Sequence, residues 1–289
     1  MVIPSSELIL NPDNSIYHLK LRPDEIADTI ITVGDQDRVD MVAQFFDKVH
    51  LTRSCREFKT ITGEYDWKPI TVISTGIGTD NIDIVFNELD ALANIDFDSK
   101  TIKSEHKQLT FIRIGTSGAI SENIPLDSYV ASRHAVGFDS LLHFYDSAGI
   151  RNSDIEGQIE SPNQCYAVDC DLLLAEAFSR YTIPGITITA PGFYGPQARQ
   201  LRLSSSFDFE NIKNSIRYKG LSPTNLEMET SGIYGMSKLL GHRAISLNAI
   251  LANRVTQEFS NQPQETVKQL ILKSLDVIKD LKIRVRLEM

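Results

Sequence analysis

The sequence predicts an α/β fold, a central mixed and largely parallel sheet flanked by helices. Three observations carry that expectation. β-branched apolar runs alternate with segments of helical periodicity, several runs break at their carboxyl ends into turns of small and polar residues, and no internal repeat or low-complexity tract interrupts the alternation. Length alone, 289 residues, leaves one large domain or two smaller ones open, while 42% hydrophobic residues suffice for a sizeable core. The irregular stretch 138–165 does not read as a linker, so one domain over residues 1–289 is expected.

Taken in order, residues 1–25 form an arm punctuated by Pro4, Pro12 and Pro23 and carrying His18, which docking would order. Residues 29–33 read as a strand ending at Gly34. Asp35 to Arg38 then form a polar turn into a helix with Val39, Val42, Phe45 and Phe46 at periodic spacing. Free N–H groups at such a helix start, with Arg38 in the first turn, suit an anion; the alternative is that Asp35 only caps the helix and Arg38 lies in solvent. The β-rich runs 56–62 and 70–74 predict a hairpin turning within 63–69.

Thr75-Gly-Ile-Gly78 leads into a helix over about residues 81–93, and a charged connection precedes a strand at 109–120. Strands are expected at 126–136, 185–190 and 244–251, and a short amphipathic helix at 169–179. A further helix is expected to start at Asn225 and run through Leu240, and a long C-terminal amphipathic helix to span about 264–287. In sheets of this kind ligands bind outside the carboxyl ends of strands, where Arg113, Thr116, Gln197 and Arg199 are expected to sit.

The stretch Leu109-Thr-Phe-Ile-Arg-Ile-Gly-Thr-Ser-Gly-Ala-Ile120 holds the clearest anomaly, a guanidinium inside an apolar strand. A buried Arg113 is costly unless an anion or a carboxylate answers it, and Gly115, Thr116, Ser117 and Gly118 permit close approach to a ligand. A bound oxyanion satisfies both features. A structural carboxylate partner followed by an ordinary Gly-rich strand end satisfies them too, and this segment leaves the two readings open.

Charge and cysteine usage exclude several classes. The formal net charge is -9, with 38 acidic and 29 basic residues, which argues against a nucleic-acid partner and confines any phosphate recognition to a local site. Cys55, Cys165 and Cys170 show neither a disulfide framework nor zinc-ligand spacing, so no structural metal is expected. The N-terminus lacks a basic segment followed by an apolar one, and no stretch nears the roughly 18 apolar residues of a membrane span. A cytoplasmic location is the expectation.

Six motifs occur in one order along the chain: Gly34-Asp-Gln-Asp-Arg38, Arg56-Glu-Phe, Ser74-Thr-Gly-Ile-Gly78, Arg113-Ile-Gly-Thr-Ser-Gly118, Phe193-Tyr-Gly-Pro-Gln-Ala-Arg199 and Glu227-Met-Glu229. Together they resemble the nucleoside phosphorylase-I superfamily, most closely its uridine-cleaving branch, from about His18 to Glu258. The resemblance implies a pentosyltransferase in which phosphate attacks C1′ of a nucleoside and releases base and ribose 1-phosphate, with no cofactor and no catalytic metal. It assigns phosphate to Gly34, Arg38, Arg113 and Thr116, with Arg56 reaching in from a neighbouring subunit. Several guanidiniums in one acidic protein suit a shared, doubly charged anion.

The same resemblance gives Glu227, Met228 and Glu229 to the ribose, with His18 lent by the neighbour to the 5′-hydroxyl. It gives Phe193, Gln197, Arg199 and Arg254 to the base, with Arg113, Thr116 and Arg199 as the catalytic set. An amide matches the O2/N3 edge of uracil and a guanidinium stabilises charge on the departing base. Read without the resemblance, Glu227-Met-Glu-Thr-Ser is a plain helix start with favourable acids in its first turn. The segment 247–254 lacks the aspartate by which purine-cleaving relatives protonate their base. Residues 256–264 are expected to form a mobile loop over the site.

Three departures stand out: Gln36 where the family has proline, Gly195-Pro196 in reversed order, and Thr79-Asp-Asn81 where Gly-Pro-Ser is common. The last weakens a monovalent-cation site that a glutamate matching Glu57 serves in some relatives. A homo-oligomer is expected, a dimer at minimum and a hexamer by resemblance. The alternatives are a phosphorylase or nucleosidase for another nucleoside, and a non-catalytic nucleoside-binding protein.

Overall fold

β1 (Thr29–Val33) is an uninterrupted run of buried residues, as a central parallel strand requires, and it ends at Gly34 before α1 (Gln36–Ala43). The computed structural model describes residues 2–161 and 164–281. A three-stranded antiparallel unit follows, β2 (Lys48–Cys55), β3 (Phe58–Tyr65) and β4 (Lys68–Ser74), with β4 returning alongside β1. The expected hairpin is therefore one strand larger. β2 escaped notice because it is polar and mostly exposed, a sheet edge with little apolar signal. The hairpin turn falls at Asp66–Trp67, both at positive φ, the geometry of a two-residue hairpin connection.

α2 (Thr79–Asn94) buries Ile82, Val85, Phe86, Leu89 and Leu92 against the sheet, and a two-stranded ribbon, β5 (Ile95–Asp96) with β6 (Thr101–Ile102), follows it. Next come β7 (Thr110–Ala119), β8 (Tyr129–Gly137), the single turn α3 (Ser153–Glu156), β9 (Tyr166–Asp169), α4 (Leu172–Ala177) and β10 (Ile183–Thr189). The chain continues through α5 (Phe209–Ser215), β11 (Pro223–Glu227), α6 (Thr230–Leu239), β12 (Arg243–Asn253), β13 (Glu258–Phe259) and α7 (Pro263–Asp280). No helix among the described residues is long and apolar enough to cross a membrane.

Two expectations are corrected. Asn225 to Glu227 do not begin a helix; they complete the buried strand β11, and α6 starts only at Thr230. Residues 256–264 are not merely a loop, since β13 folds back antiparallel onto β12. The expected C-terminal helix ends at Asp280, Leu281 is already extended, and the remaining expected positions from 282 lie outside the described residues.

β7 organises the sheet. Along one edge it pairs in parallel with β12 over nearly its whole length. Along the other, Thr110 to Arg113 pair with β1, whereas Gly118 and Ala119 pair with β11, which runs the opposite way. β1 and β11 thus end facing each other across an interval of β7 that no described strand covers on that edge. Through β11 the pairings also close a ring, β7 to β12, β8, β10, β11 and back to β7. The N-terminal arm is docked: Leu8, Ile16, Leu19 and Leu21 are buried in the main core.

Candidate active site

A cleft of about 490 Å³ opens over that uncovered interval. Gly34 and Arg38 reach it from the turn between β1 and α1. Asp35 caps α1 by accepting the Arg38 N–H at 2.8 Å, and its second oxygen lies 3.0 Å from Arg38 Nη2. The cap expected of Asp35 is present, yet the Arg38 side chain is only 16% exposed and lines the cleft instead of solvent. Burial is the main influence lowering its pKa; Asp35 opposes it, and the positive charge of Arg113 adds to it. A Cβ built on Gly34 meets nothing within 4 Å, so the space above that residue is open cleft.

Arg113 lies within β7, not at its end, and its guanidinium folds back over Gly115. A Cβ at Gly115 would overlap Arg113 Nη1, so glycine there makes room for a side chain of the same strand rather than for a ligand. Nη2 donates to Glu229 Oε2 and lies 3.1 Å from Glu227 Oε2, while Nη1 donates to Asn248 Oδ1 at 3.0 Å. Burial opposes the charged form of Arg113, but the two carboxylates outweigh it and raise the pKa. Nε and one Nη1 hydrogen are left without a protein acceptor among the described residues. Thr116 and Ser117 continue the cleft wall.

The two glutamates differ. Glu227 accepts Thr189 Oγ1 at 2.6 Å, Thr230 Oγ1 at 2.8 Å, the Glu229 N–H at 3.0 Å and the Thr230 N–H at 2.9 Å. Burial pushes its pKa up, with Arg113 the strongest opposing influence. So many donors aimed at two oxygens suit the ionised, acceptor-only form and leave it little capacity for a ligand. It serves the start of α6 from the end of β11, not from within the first helical turn where the plain reading of this segment places it. Among the described residues the Glu229 carboxylate accepts only from Arg113 and from the Gly78 N–H at 2.9 Å, so it keeps free lone pairs at the cleft. Gly78 holds φ +97°, a conformation that glycine adopts without strain. Met228 lines the cleft beside them.

Phe193, Gln197 and Arg199 form the other end of the cleft. The reversed Gly195-Pro196 pair begins a short 3-10 turn that closes with Ala198 at φ +54°, and Gln197 is buried inside it. Its side-chain amide has no hydrogen-bond partner among the described residues. Arg199 stacks on the Phe193 ring, 4.2 Å from its centroid, and its buried Nε has no partner. Arg254 does not line the cleft. It stacks on Phe209 at 5.4 Å with a buried, unpartnered Nη1, and burial, then the charge of Arg199, lowers its pKa.

His18 and Arg56 are not in this cleft. His18 Nδ1 lies 2.6 Å from Glu88 Oε1, and the same carboxylate accepts the His18 and Leu19 N–H groups. Arg56 sits at φ +55° on the exposed turn between β2 and β3, 6.0 Å from the Tyr17 ring, and Tyr17 packs edge-on against His18. Both residues therefore flank one surface patch. Gln36, in place of the usual proline, donates its Nε2–H to Arg56 O at 2.7 Å and braces that turn. Glu57 is exposed on the same turn and belongs to no cluster of three or more potential metal ligands among the described residues.

One such cluster does exist, Asp90, His106 and His242, at the opposite ends of β7 and β12. His242 Nδ1 accepts the Leu109 N–H, so a neutral ring carries its proton on Nε2, 3.1 Å from Asp90. With Nδ1 already accepting a backbone N–H, only Nε2 faces the cluster, and it lies beside Asp90 without a hydrogen-bond partner among the described residues. A second cavity, about 570 Å³, lies behind the Gly195–Gln197 turn and has no charged side chain in its lining.

Sequence reasoning missed the apolar rim of the cleft, Ile77 and Phe259, which are 68% and 76% exposed. It also missed Thr189 and Asn248, whose partners lie in distant strands, and Thr230, which donates to Glu227 three residues earlier and pairs with Ser246 of β12. Large exposed apolar residues at a cleft mouth are a ligand signal, but only once the mouth is known.

An arginine-lined floor, a carboxylate with free lone pairs and a base-sized end fit a phosphorylase, and the chain belongs to the phosphorylase superfamily, whose family model matches residues 28–281. Among its relatives are uridine phosphorylases. That of Escherichia coli is 31% identical over 263 residues, 89% of this chain and 92% of the relative. That of Thermococcus kodakarensis is 30% identical over 249 residues, 84% of this chain and 79% of the relative. The crystal structure of Trypanosoma brucei nucleoside phosphorylase, described as showing uridine phosphorylase activity, superposes with a TM-score of 0.83 at 27% identity, covering 95% of this chain and all of that one.

Proposed function

We propose that this protein catalyses phosphorolysis of uridine, giving uracil and ribose 1-phosphate. The observation that carries the reading is the pair Arg38 and Arg113 in one cleft, the charge of Arg113 disfavouring that of Arg38, beside a carboxylate that still has lone pairs to offer. A phosphate between the guanidiniums relieves their repulsion, with Thr116 and the open backbone at Gly34 as further contacts. Glu229 then accepts from the ribose hydroxyls, Met228 packs against the sugar, and Glu227 holds the start of α6 in place.

Phosphate oxygen attacks C1′ as the glycosidic C–N bond breaks and its electron pair leaves with the base. The transition state resembles an oxocarbenium ion, and the carboxylate of Glu229 and the bound phosphate stabilise that positive charge. Arg199 and Gln197 stabilise the negative charge arriving on uracil, whose ring stacks on Phe193. Arg254 acts one layer back, and its charge keeps Arg199 in need of an electron-rich partner.

Arg56 and His18, grouped around Tyr17 away from their own cleft, complete the site of a neighbouring subunit in a homo-oligomer. Uracil release measured with and without phosphate tests the reaction: release should require phosphate and be matched by ribose 1-phosphate. Release that continues without phosphate, or cleavage of inosine in place of uridine, overturns it. Mixing Arg56→Ala with Arg113→Ala subunits should restore activity neither variant has alone, because one mixed site contains both arginines; no restoration would mean that Arg56 does not cross between subunits.

A further inference from the structure

We infer that Asn248 is a positioning residue for phosphate, one that orients the Arg113 guanidinium without neutralising it. The inference rests on the reading of Arg113 as a phosphate ligand. Asn248 is fully buried in β12 and accepts from Arg113 Nη1 through Oδ1. Its own orientation is set from behind, since Nδ2 donates to Ser132 Oγ and Ser246 Oγ, each at 3.3 Å. An arginine has only hydrogens to offer, so the amide must present oxygen to it and nitrogen to the hydroxyls.

The support extends around the strand ring. Ser132 of β8 bonds Thr187 of β10, Thr187 donates to Asn225 of β11 at 2.9 Å, and Asn225 donates to Ser117 of β7 at 2.9 Å. Each of the five ring strands thus contributes at least one side chain to a polar chain that runs from Arg113 of β7 around to Ser117 of the same strand, at the cleft wall. Such a network fixes rotamers because every member loses a partner if one turns away.

The identity of the residue matters as much as its place. Two carboxylates already hold Nη2, and a third at Nη1 would leave an anion competing with surplus negative charge. A neutral acceptor supplies the hydrogen bond alone. Preorganised in this way, the guanidinium need not be reoriented when phosphate arrives.

The test compares Asn248→Asp, which keeps the shape, and Asn248→Ala, which removes the acceptor, with the wild type; KM for phosphate, KM for uridine and melting temperature are measured across pH. Asn248→Asp should raise the phosphate KM about tenfold or more at alkaline pH, as expected for a disturbed charge-assisted contact. The ratio of variant to wild-type phosphate KM should then fall toward 1 as acid protonates the new carboxyl, while the uridine KM stays within about threefold. A generic packing defect would not give that pH trend or that split. Asn248→Ala should raise the phosphate KM at every pH without the trend. A folded variant of either kind with a phosphate KM within twofold of wild type overturns the role of Asn248. Wild-type base release without phosphate would instead overturn the reading of Arg113.

Discussion

The two ends of the cleft are built on opposite principles. At the anion end, Arg113, Glu227, Glu229 and Asn248 belong to rigid strands or to a helix start, and nearly every polar atom has a protein partner. At the base end, Gln197 and Arg199 sit on a connecting segment, and their polar groups await one. The difference teaches where folding and function share residues. Charges that must be buried before any ligand arrives are stabilised by the fold, whereas groups that recognise a neutral base are left open and cost stability little.

This comparison predicts that activity and stability fall together at one end and separately at the other. Arg113→Ala should show the largest effect: it removes a transition-state contact and strands two buried glutamates, so kcat/KM falls by about 4 kcal/mol or more and stability by about 3–5 kcal/mol. Denaturant unfolding beside kinetics checks both, and an intact stability curve would break the comparison. Gly115→Ala touches no ligand, yet the added methyl must push the guanidinium aside; phosphate use should weaken by roughly 3 kcal/mol in kcat/KM, with a smaller stability loss than in Arg113→Ala.

At the base end, Arg199→Ala should lower kcat by about 3 kcal/mol while shifting stability by less than about 0.5 kcal/mol, because no protein acceptor loses its donor. Differential scanning calorimetry and steady-state rates separate the two quantities. The smallest expected effect is that of Phe193→Ala, about 1 kcal/mol in the uridine KM with an unchanged melting temperature, since the ring is half exposed and offers mainly a stacking face. A large stability loss there would show the base end to be as integral to the fold as the anion end.

Much of this was legible in the sequence. The alternation of strands and helices, the strand carrying Arg113, and Arg38, Gln197, Arg199 and Glu229 as cleft residues all follow from local pattern and motif. What was not legible depends on partners far apart in the chain. The carboxylate reading of Arg113 is realised by residues 227 and 229, far along the chain, and the donors they leave free are the ones the proposed phosphate would use. Glu227-Met-Glu-Thr-Ser looks like a helix start, and the helix does start there, but Asn225 to Glu227 are drawn into the sheet by pairing with β7 and β10. β2 hid because an exposed edge strand needs no apolar periodicity. Arg254 matched the motif at the cleft, but its stacking on Phe209 places it behind Arg199.

The uncovered interval of β7 has a dynamic consequence. A sheet normally finishes its seams with chain, but here two strands stop short from opposite directions along one edge of β7, and the proposed reaction puts substrate in the space between them. Ligand is then the piece that makes the sheet continuous. Saturation with phosphate and nucleoside should slow amide exchange around residues 114–117 more than elsewhere in β7, and the enzyme should be at its most rigid while it is working.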